Sequence, residues 1–150
     1  MPNLPVAVRV LAGLTILVVV AACDATGATD GTTPEPTAAI DLAGTSWTLV
    51  SVGGNAPVEG ADAWLAFGTT GEITGSTGCN NLIGSYAVDG TALTFSTMGT
   101  TRMACPGDDL MAQDASVPQA LESVTGWEVD GDGRLHLTGA TELVLESRAA

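Results

Sequence analysis

From Ile40 onward, hydrophobic and polar residues alternate in short runs that are separated by turn-forming residues. Such alternation turns one side of each run toward a core and is typical of half-buried β-strands. The pair Asp89-Gly90, which joins two of these runs, is typical of a tight β-hairpin. The runs that we predict to be strands cover residues 46–52, 63–67, 72–75, 82–88, 92–95, 126–129, 134–138 and 142–146.

The segment Asp108–Ser123 lacks this alternation and is rich in helix-forming residues, with two acids at its start that complement a helix dipole. Ser116 to Gln119 resembles a capping box with a proline in its first turn, so we expect a kink or a restart at Pro118. Spacing near 3.6 predicts an apolar face made of Leu110, Met111, Val117, Leu121 and Val124.

Together these elements predict an α+β fold. Short strands that follow one another closely favour antiparallel pairing over a parallel sheet. The expected architecture is a curved antiparallel sheet or a partly open β-barrel of about eight short strands, with one helix, straight or kinked, packed against it.

The N-terminus has a different pattern, in which Arg9 precedes an uncharged run at 10–22 that ends in small residues before Cys23. This order is typical of a secretory signal peptide. As a helix the run would reach only about 20 Å, which is short of the roughly 30 Å hydrocarbon core of a bilayer. The sequence Val20-Ala-Ala-Cys23 resembles the bacterial lipobox, and we therefore expect cleavage before an acylated Cys23. An ordinary signal peptide and a retained anchor helix are the alternatives.

The expected domain organisation has three parts. Residues 1–22 form a lipoprotein signal peptide, 23–40 hold the lipidated cysteine and a flexible linker, and 41–148 form the folded domain. The linker is small, polar and interrupted by prolines, so it cannot bury a core. We expect the domain to lie on the extracytoplasmic side of a cell membrane, attached through lipid.

Charge narrows the range of partners. After Cys23 the chain holds seventeen acidic residues and three arginines, which gives a net charge of −14, and it contains no lysine. Binding to a phosphate backbone requires clustered basic residues, so we expect no nucleic-acid partner. The acidic surface also disfavours contact with anionic lipid headgroups.

The remaining cysteines, Cys79 and Cys105, form an even pair in a chain that is expected to be exported. Thiols outside the cytoplasm tend to oxidise, so we expect a disulfide, with free buried thiols as the alternative. A zinc site is poorly supported by a single histidine and no C-x-x-C pair. That histidine, His136, lies in an alternating strand pattern, which gives little support to a Cys-His nucleophile.

Four stretches are more specific than the pattern around them: Leu42–Trp47, Gly75–Asn80, Gly84–Gly90 and Thr100–Pro106. In this order they resemble the META domain, which occurs in heat-shock-inducible envelope lipoproteins. The resemblance covers about residues 41–147, and Pro118 departs from the family's usual helix. It implies antiparallel strands wrapped around a helix and no established catalysis. It also implies an association with envelope stress, antibiotic tolerance and secretion.

Few residues suggest chemistry. The glycine-containing turn before Cys79 has no accompanying lysine, so we interpret it as a turn and not as a phosphate loop. Asn80 and Arg102 lie inside the family-like motifs and are candidate binding or structural residues. We expect Asn80 to bond the local backbone and Arg102 to pair with a nearby carboxylate, with contact to a ligand anion as the alternative for Arg102. Asp130 and Asp132 resemble the start of a calcium loop but lack its distal glutamate. We expect no metal, no cofactor and no catalytic residue.

The sequence is compatible with two functions. The first is a non-enzymatic, membrane-anchored lipoprotein that supports envelope stress tolerance by binding an envelope component, such as an unknown envelope protein. The second is a carrier or secretion-assisting module that binds a lipid or a hydrophobic peptide in the barrel opening. A large continuous apolar cavity would favour the second function.

Overall fold

The computed structural model of the protein describes residues 40–149. The predicted signal peptide, the predicted acylation of Cys23 and the linker up to residue 39 lie outside the described residues.

Nine strands and one helix make up the described part of the chain, close to the predicted positions. The helix, α1 (Asp108–Glu122), lies between the sixth and seventh strands. The strands are β1 (Ser46–Val52), β2 (Ala63–Phe67), β3 (Glu72–Thr77), β4 (Asn81–Asp89), β5 (Ala92–Phe95), β6 (Gly99–Thr100), β7 (Val124–Val129), β8 (Leu135–Gly139) and β9 (Leu143–Ser147).

Eight of these strands form a closed antiparallel barrel. The order of pairing is β3-β2-β1-β9-β8-β7-β5-β4, and β4 pairs back onto β3. The predicted α+β class is therefore confirmed, and the barrel is closed. The strand β6 is the ninth and lies at an edge, because it pairs only with β4, through Leu82 with Thr100 and Ile83 with Gly99.

The shortest strand pairing in the barrel is the one between β5 and β7. Their ladder contains one pair, Ala92 with Gly126, and the main-chain N–H of Trp127 adds a hydrogen bond to the carbonyl of Thr91 at 3.0 Å. The indole N–H of Trp127 also donates to the carbonyl of Gly90 at 3.1 Å. The short hairpin loop after Asp89 thus supports the seam as well as joining β4 to β5.

The interior of the barrel is filled by large aliphatic side chains. Alternation along β8 and β9 turns leucines inward from both strands, while the intervening residues face outward. Side chains that are fully buried include Leu65, Phe67, Ile73, Leu93, Leu121, Leu135, Leu137, Leu143 and Leu145.

The helix α1 packs against β1, β3 and β5, and it differs from the predicted helix in two ways. It runs through Pro118 without a restart, and Ser116 donates its hydroxyl to the carbonyl of Gln113 at 3.0 Å instead of capping a second helix. The predicted apolar face was wrong in part, because Met111 is exposed and Val124 belongs to β7. The buried positions of α1 are Gln113, Val117, Ala120 and Leu121.

Burial of these positions explains why the helix continues. Proline removes one intrahelical hydrogen bond and crowds the preceding turn, which disfavours a helix interior. Val117 and Leu121, on either side of Pro118, are both buried against the barrel. Tertiary packing therefore outweighs the local signal. Within residues 40–149, no helix is long and apolar enough to cross a membrane.

The close approach of β2 and β3 predicts that Gly75→Ala will destabilise the domain. A Cβ at Gly75 would lie 2.3 Å from the carbonyl oxygen of Trp64, so the backbone would have to move. We expect a loss of about 1–3 kcal/mol in the free energy of unfolding, measured by denaturant titration. Gly131→Ala is the matched control, because a Cβ there meets nothing within 4 Å. Equal stability of the two variants would contradict this packing.

Candidate functional site

Asn80 lies in the turn between β3 and β4, and its side chain joins three parts of the chain. It is 1% exposed. Its Oδ1 accepts hydrogen bonds from the Thr101 hydroxyl and the Met103 main-chain N–H, both at 2.8 Å. Its Nδ2 donates to the Met103 carbonyl at 3.2 Å and to the Asp114 carboxylate at 2.9 Å. The prediction that Asn80 bonds the local backbone is therefore wrong for its side chain, because these bonds reach residues 21 to 34 positions away.

Thr77, Gln113 and Asp114 extend this set of hydrogen bonds. The Thr77 hydroxyl donates to the Asp114 carboxylate and accepts the main-chain N–H of Asn80 at 2.9 Å. The Gln113 amide donates to the Thr77 carbonyl at 2.6 Å and accepts the Val58 main-chain N–H at 2.6 Å. We call Thr77, Asn80, Gln113 and Asp114 the polar network. It fixes α1 to the β3–β4 turn and to the connection before β2.

A disulfide joins Cys79 to Cys105 beside the polar network. It links residues 26 positions apart, and closing a loop of that length stabilises the folded state by roughly 3 kcal/mol in the chain-entropy description. The two sulfur atoms and a carboxylate oxygen of Asp114 lie within 4.8 Å of one another. Because both sulfurs are bonded to each other, they do not offer thiolate ligands to a metal.

The segment that contains β6 and leads toward the disulfide is hydrogen-bonded at both ends and exposed between them. At its start the main-chain N–H of Met98 donates to the Glu122 carboxylate at 3.1 Å, and at its end Met103 is bound by Asn80. Gly99, Thr100, Thr101 and Arg102 are all exposed. We call residues 98–103 the edge segment.

An apolar groove of about 510 Å³ lies beside the edge segment, on the outer face of the barrel. Its lining comes from β2, β3, β4 and the edge segment, and includes Trp64, Thr74, Ile83, Gly99 and Thr101. Two large hydrophobic side chains are unusually exposed: Ile83, which lines the groove, at 63%, and Met103, at the end of the edge segment, at 61%. Ile83 stands opposite Gly99, which has no side chain to cover it.

Arg102 forms no ion pair with any residue in the range 40–149, which contradicts the expected pairing with a nearby carboxylate. The other two arginines of the domain are both paired. Arg134 lies 3.1 Å from Glu146, and Arg148 binds both carboxylate oxygens of Asp62 at 2.6 and 2.9 Å while stacking over Trp64. Arg102, which follows the groove-lining Thr101 in the chain, is therefore the exposed arginine of the described domain that has no carboxylate partner.

His136 lies at the other side of the barrel and connects two turns. Its Nδ1 is 3.1 Å from the Glu142 carboxylate and its Nε2 is 3.0 Å from the Asp130 carboxylate. These hydrogen bonds, first that to Glu142 and then that to Asp130, raise the pKa of the imidazole above its ordinary value of 6.5. Bonds from the Arg134 main-chain N–H and from His136 lower the pKa of Asp130.

The remaining candidate residues from the sequence make contacts that close turns or pack against the core. Asp130 Oδ1 accepts the main-chain N–H groups of Asp132 and Arg134, so this carboxylate closes its own turn. The turn at Gly78 approaches Ala61 and Gln113 so closely that a Cβ would lie 2.7 Å and 2.9 Å from them. Among the aromatic residues, Trp47 and Phe67 are buried, while Tyr86, Phe95 and Trp127 pack against the core with partial exposure.

Sequence reasoning missed most of the polar network and both exposed hydrophobic residues, although signals for them existed. Gln113 occupies the position four residues before Val117, which places a polar residue on the buried helix face. Ile83 falls on the outward-facing register of β4, where an isolated apolar side chain has no core to join. Thr77 and Asp114 carry no comparable signal, because their bonds form only between distant segments.

The fold and the site define a small, disulfide-linked β-barrel that is closed by one helix at its network end. Residues 40–150 match the META domain family, and the chain therefore belongs to that family of envelope-associated proteins. No curated protein matches this chain significantly.

Two solved structures are similar to the chain. One is the NMR structure of a protein from Burkholderia xenovorans, with 28% sequence identity and a TM-score of 0.59, covering 73% of this chain and 85% of that one. The other, also an NMR structure of a protein, has 25% identity and a TM-score of 0.57, covering 71% and 94%.

Removal of the Asn80 side chain should destabilise the domain strongly. Asn80→Ala removes the donor to one of the two Asp114 carboxylate oxygens and both bonds to the Met103 main chain, and each buried polar group left unsatisfied costs about 1–3 kcal/mol. We expect a loss of about 2–4 kcal/mol in the free energy of unfolding, measured by denaturant titration. Asn81→Ala, at the exposed neighbouring position, is the control and should change stability little. A loss under 1 kcal/mol for Asn80→Ala would contradict the central role of this side chain.

The ion pairs of His136 predict a stability that falls at alkaline pH. Because the folded pKa lies above the unfolded one, the contribution is complete below about pH 6.5 and is lost as the pH rises through the folded pKa. An NMR titration of this single imidazole should give a midpoint above 6.5. Glu142→Gln should lower the midpoint, whereas Glu146→Gln should leave it nearly unchanged. A wild-type midpoint at or below 6.5 would contradict the prediction.

Proposed function

We propose that this protein is a membrane-anchored, non-enzymatic envelope lipoprotein that supports stress tolerance by binding another envelope component. Anchoring is supported by the sequence around Cys23, where a charged residue, an apolar run and small residues precede the cysteine in lipobox order. Several acyl chains on one N-terminus hold a protein firmly, because each buried CH₂ contributes about 0.8 kcal/mol. The sixteen residues from Asp24 to Ala39 would allow the domain to stand up to about 50 Å from the bilayer.

The observation that carries the binding role is the contrast between the two faces of the site. The polar network is internally satisfied: no buried side-chain nitrogen or oxygen in the described part of the chain lacks a hydrogen-bond partner. Its groups therefore hold the fold together and are not directed at a substrate. Outside it, exposed Ile83 lines the groove, and exposed Arg102 and Met103 follow the lining residue Thr101 in the chain. Exposed apolar groups next to a cation suit recognition of a ligand.

The carrier alternative receives less support. A lipid or peptide inside the barrel would have to displace the leucines that fill it, such as Leu135 and Leu145. A groove of about 520 Å³ between α1 and the connection Val52–Val58 lies at the network end, where it is lined partly by Gln113. It is a surface groove beside the packed interior. Binding on the outer face requires no such displacement.

Replacement of Cys23 tests the anchoring directly. Cys23→Ala should abolish acylation and normal processing, and the protein should leave the membrane fraction or retain its signal peptide; intact mass and membrane fractionation measure both. The double variant Cys79→Ala, Cys105→Ala is the control, because it removes the two disulfide cysteines and should keep the lipid on Cys23. Unchanged mass and membrane attachment in Cys23→Ala would contradict the proposal, and sustained turnover of an envelope substrate by the purified full chain would contradict its non-enzymatic part.

A further inference from the structure

The edge segment has main-chain groups that are directed away from the barrel. The Thr101 N–H donates to the Asn81 carbonyl at 3.1 Å, and the neighbouring register pairs Thr100 with Leu82. Hydrogen-bonded and non-hydrogen-bonded pairs alternate along an antiparallel ladder. Thr100 therefore occupies a non-hydrogen-bonded position, where its N–H and C=O point outward from β4.

Arg102 continues the same pattern two residues later. The Met103 N–H turns back to Asn80, as the Thr101 N–H turns back to Asn81, so the Arg102 main-chain groups lie on the outward side with those of Thr100. No hydrogen bond to the Arg102 main chain occurs within residues 40–149. Since β6 ends the sheet order, no further strand covers this edge. The two positions offer the spacing at which an added strand forms its bonds.

The surroundings favour one kind of occupant. Ile83 and Met103 are exposed beside the edge, and the groove next to them is apolar, which suits alternate side chains of an extended peptide. Arg102 supplies a cation that no carboxylate of the described domain pairs with, although that domain is strongly acidic. Arg148 stacks over Trp64 of the groove but is already bound to Asp62. The unpaired Arg102 is therefore the cation that attracts a carboxylate to an otherwise acidic domain, and this contact fixes the register of the peptide.

We propose that the edge segment binds an extended, carboxylate-bearing peptide segment of another envelope protein, which adds as a strand beside Thr100 and Arg102 and places an apolar side chain in the groove. The proposal rests on the proposed function and specifies its ligand. The bonds from Met98 to Glu122 and from Met103 to Asn80 hold the edge in its extended form before the peptide arrives, which reduces the entropic cost of binding.

The test is selection of random heptapeptides, displayed on phage, against the full-length lipoprotein in detergent. We expect enriched sequences that combine a carboxylate with apolar residues at alternate positions. Arg102→Gln should weaken binding of the selected peptide roughly tenfold, whereas Arg134→Gln, at a paired arginine, should not. Met103→Gln should weaken binding more than Met111→Gln, at an exposed methionine on α1.

A chemical change in the peptide tests strand addition without altering the protein. N-methylation of every second peptide residue can be made in two ways, on the odd-numbered or on the even-numbered residues. One set removes the N–H groups that face the edge and should abolish binding, whereas methylation of the other set should be tolerated. Hydrogen exchange should show new protection at the amides of Thr100 and Arg102 when the peptide is bound.

Three outcomes would overturn the proposal: no enriched peptide, enriched peptides that bind Arg102→Gln as well as wild type, or binding that tolerates N-methylation of either set of alternate residues. The last would show that the groove holds an apolar ligand without strand addition. None of these outcomes alters the result of the Cys23→Ala experiment, so failure of the peptide site and failure of the anchored-lipoprotein function remain distinguishable. An edge that binds no peptide on a protein that is still acylated would leave the proposed function with a different ligand.

Discussion

The hydrogen bonds of Asn80 are the constraint on which the rest of the domain depends. A single amide side chain, almost completely buried, holds the β3–β4 turn, the chain between β6 and the disulfide, and α1. A buried amide with all its bonds formed stabilises one arrangement, because any shift would leave several polar groups unsatisfied at once. The disulfide at Cys79 and Cys105 constrains the same two segments covalently.

This constraint also explains why the outer face can remain exposed. The edge segment would be a liability if it could move freely, since an unpaired strand edge invites indiscriminate pairing. Its length is limited to two ladder positions, and its ends are fixed by Glu122 and Asn80. A short edge with fixed ends offers few positions for such pairing, whereas a long flexible one would aggregate. The polar network thus helps to hold the segment that borders the exposed groove.

The strand pairings that close the barrel differ in length. Most neighbouring strands share long ladders, but β5 and β7 share one pair, and the hairpin loop at Gly90 and Thr91 supports them. The C-terminal end of α1 lies near this side, where Leu121 is buried and Glu122 holds Met98. The helix therefore contributes to the fold in two places: through Gln113 and Asp114 near its middle, and through hydrophobic packing near its end.

Most strand positions could be predicted from alternation, because a strand with one buried face imposes a period of two on its own sequence. For the same reason β1, β2 and β5 have the predicted bounds, and the exposure of Ile83 can be inferred from its register. The continuity of α1 through Pro118 could not be predicted, since packing of Val117 and Leu121 outweighs the local effect of proline.

The sequence by itself determined the strand pattern, the helix, the even pair of cysteines and the acidic charge, because each depends on residue type and short-range spacing. Only the tertiary structure decided that Asn80 reaches Asp114 and that Arg102 is left without a carboxylate in the described domain. Both facts depend on which distant segments are brought within hydrogen-bond distance. A contact between residues 34 positions apart leaves no periodic pattern in the sequence from which it could be predicted.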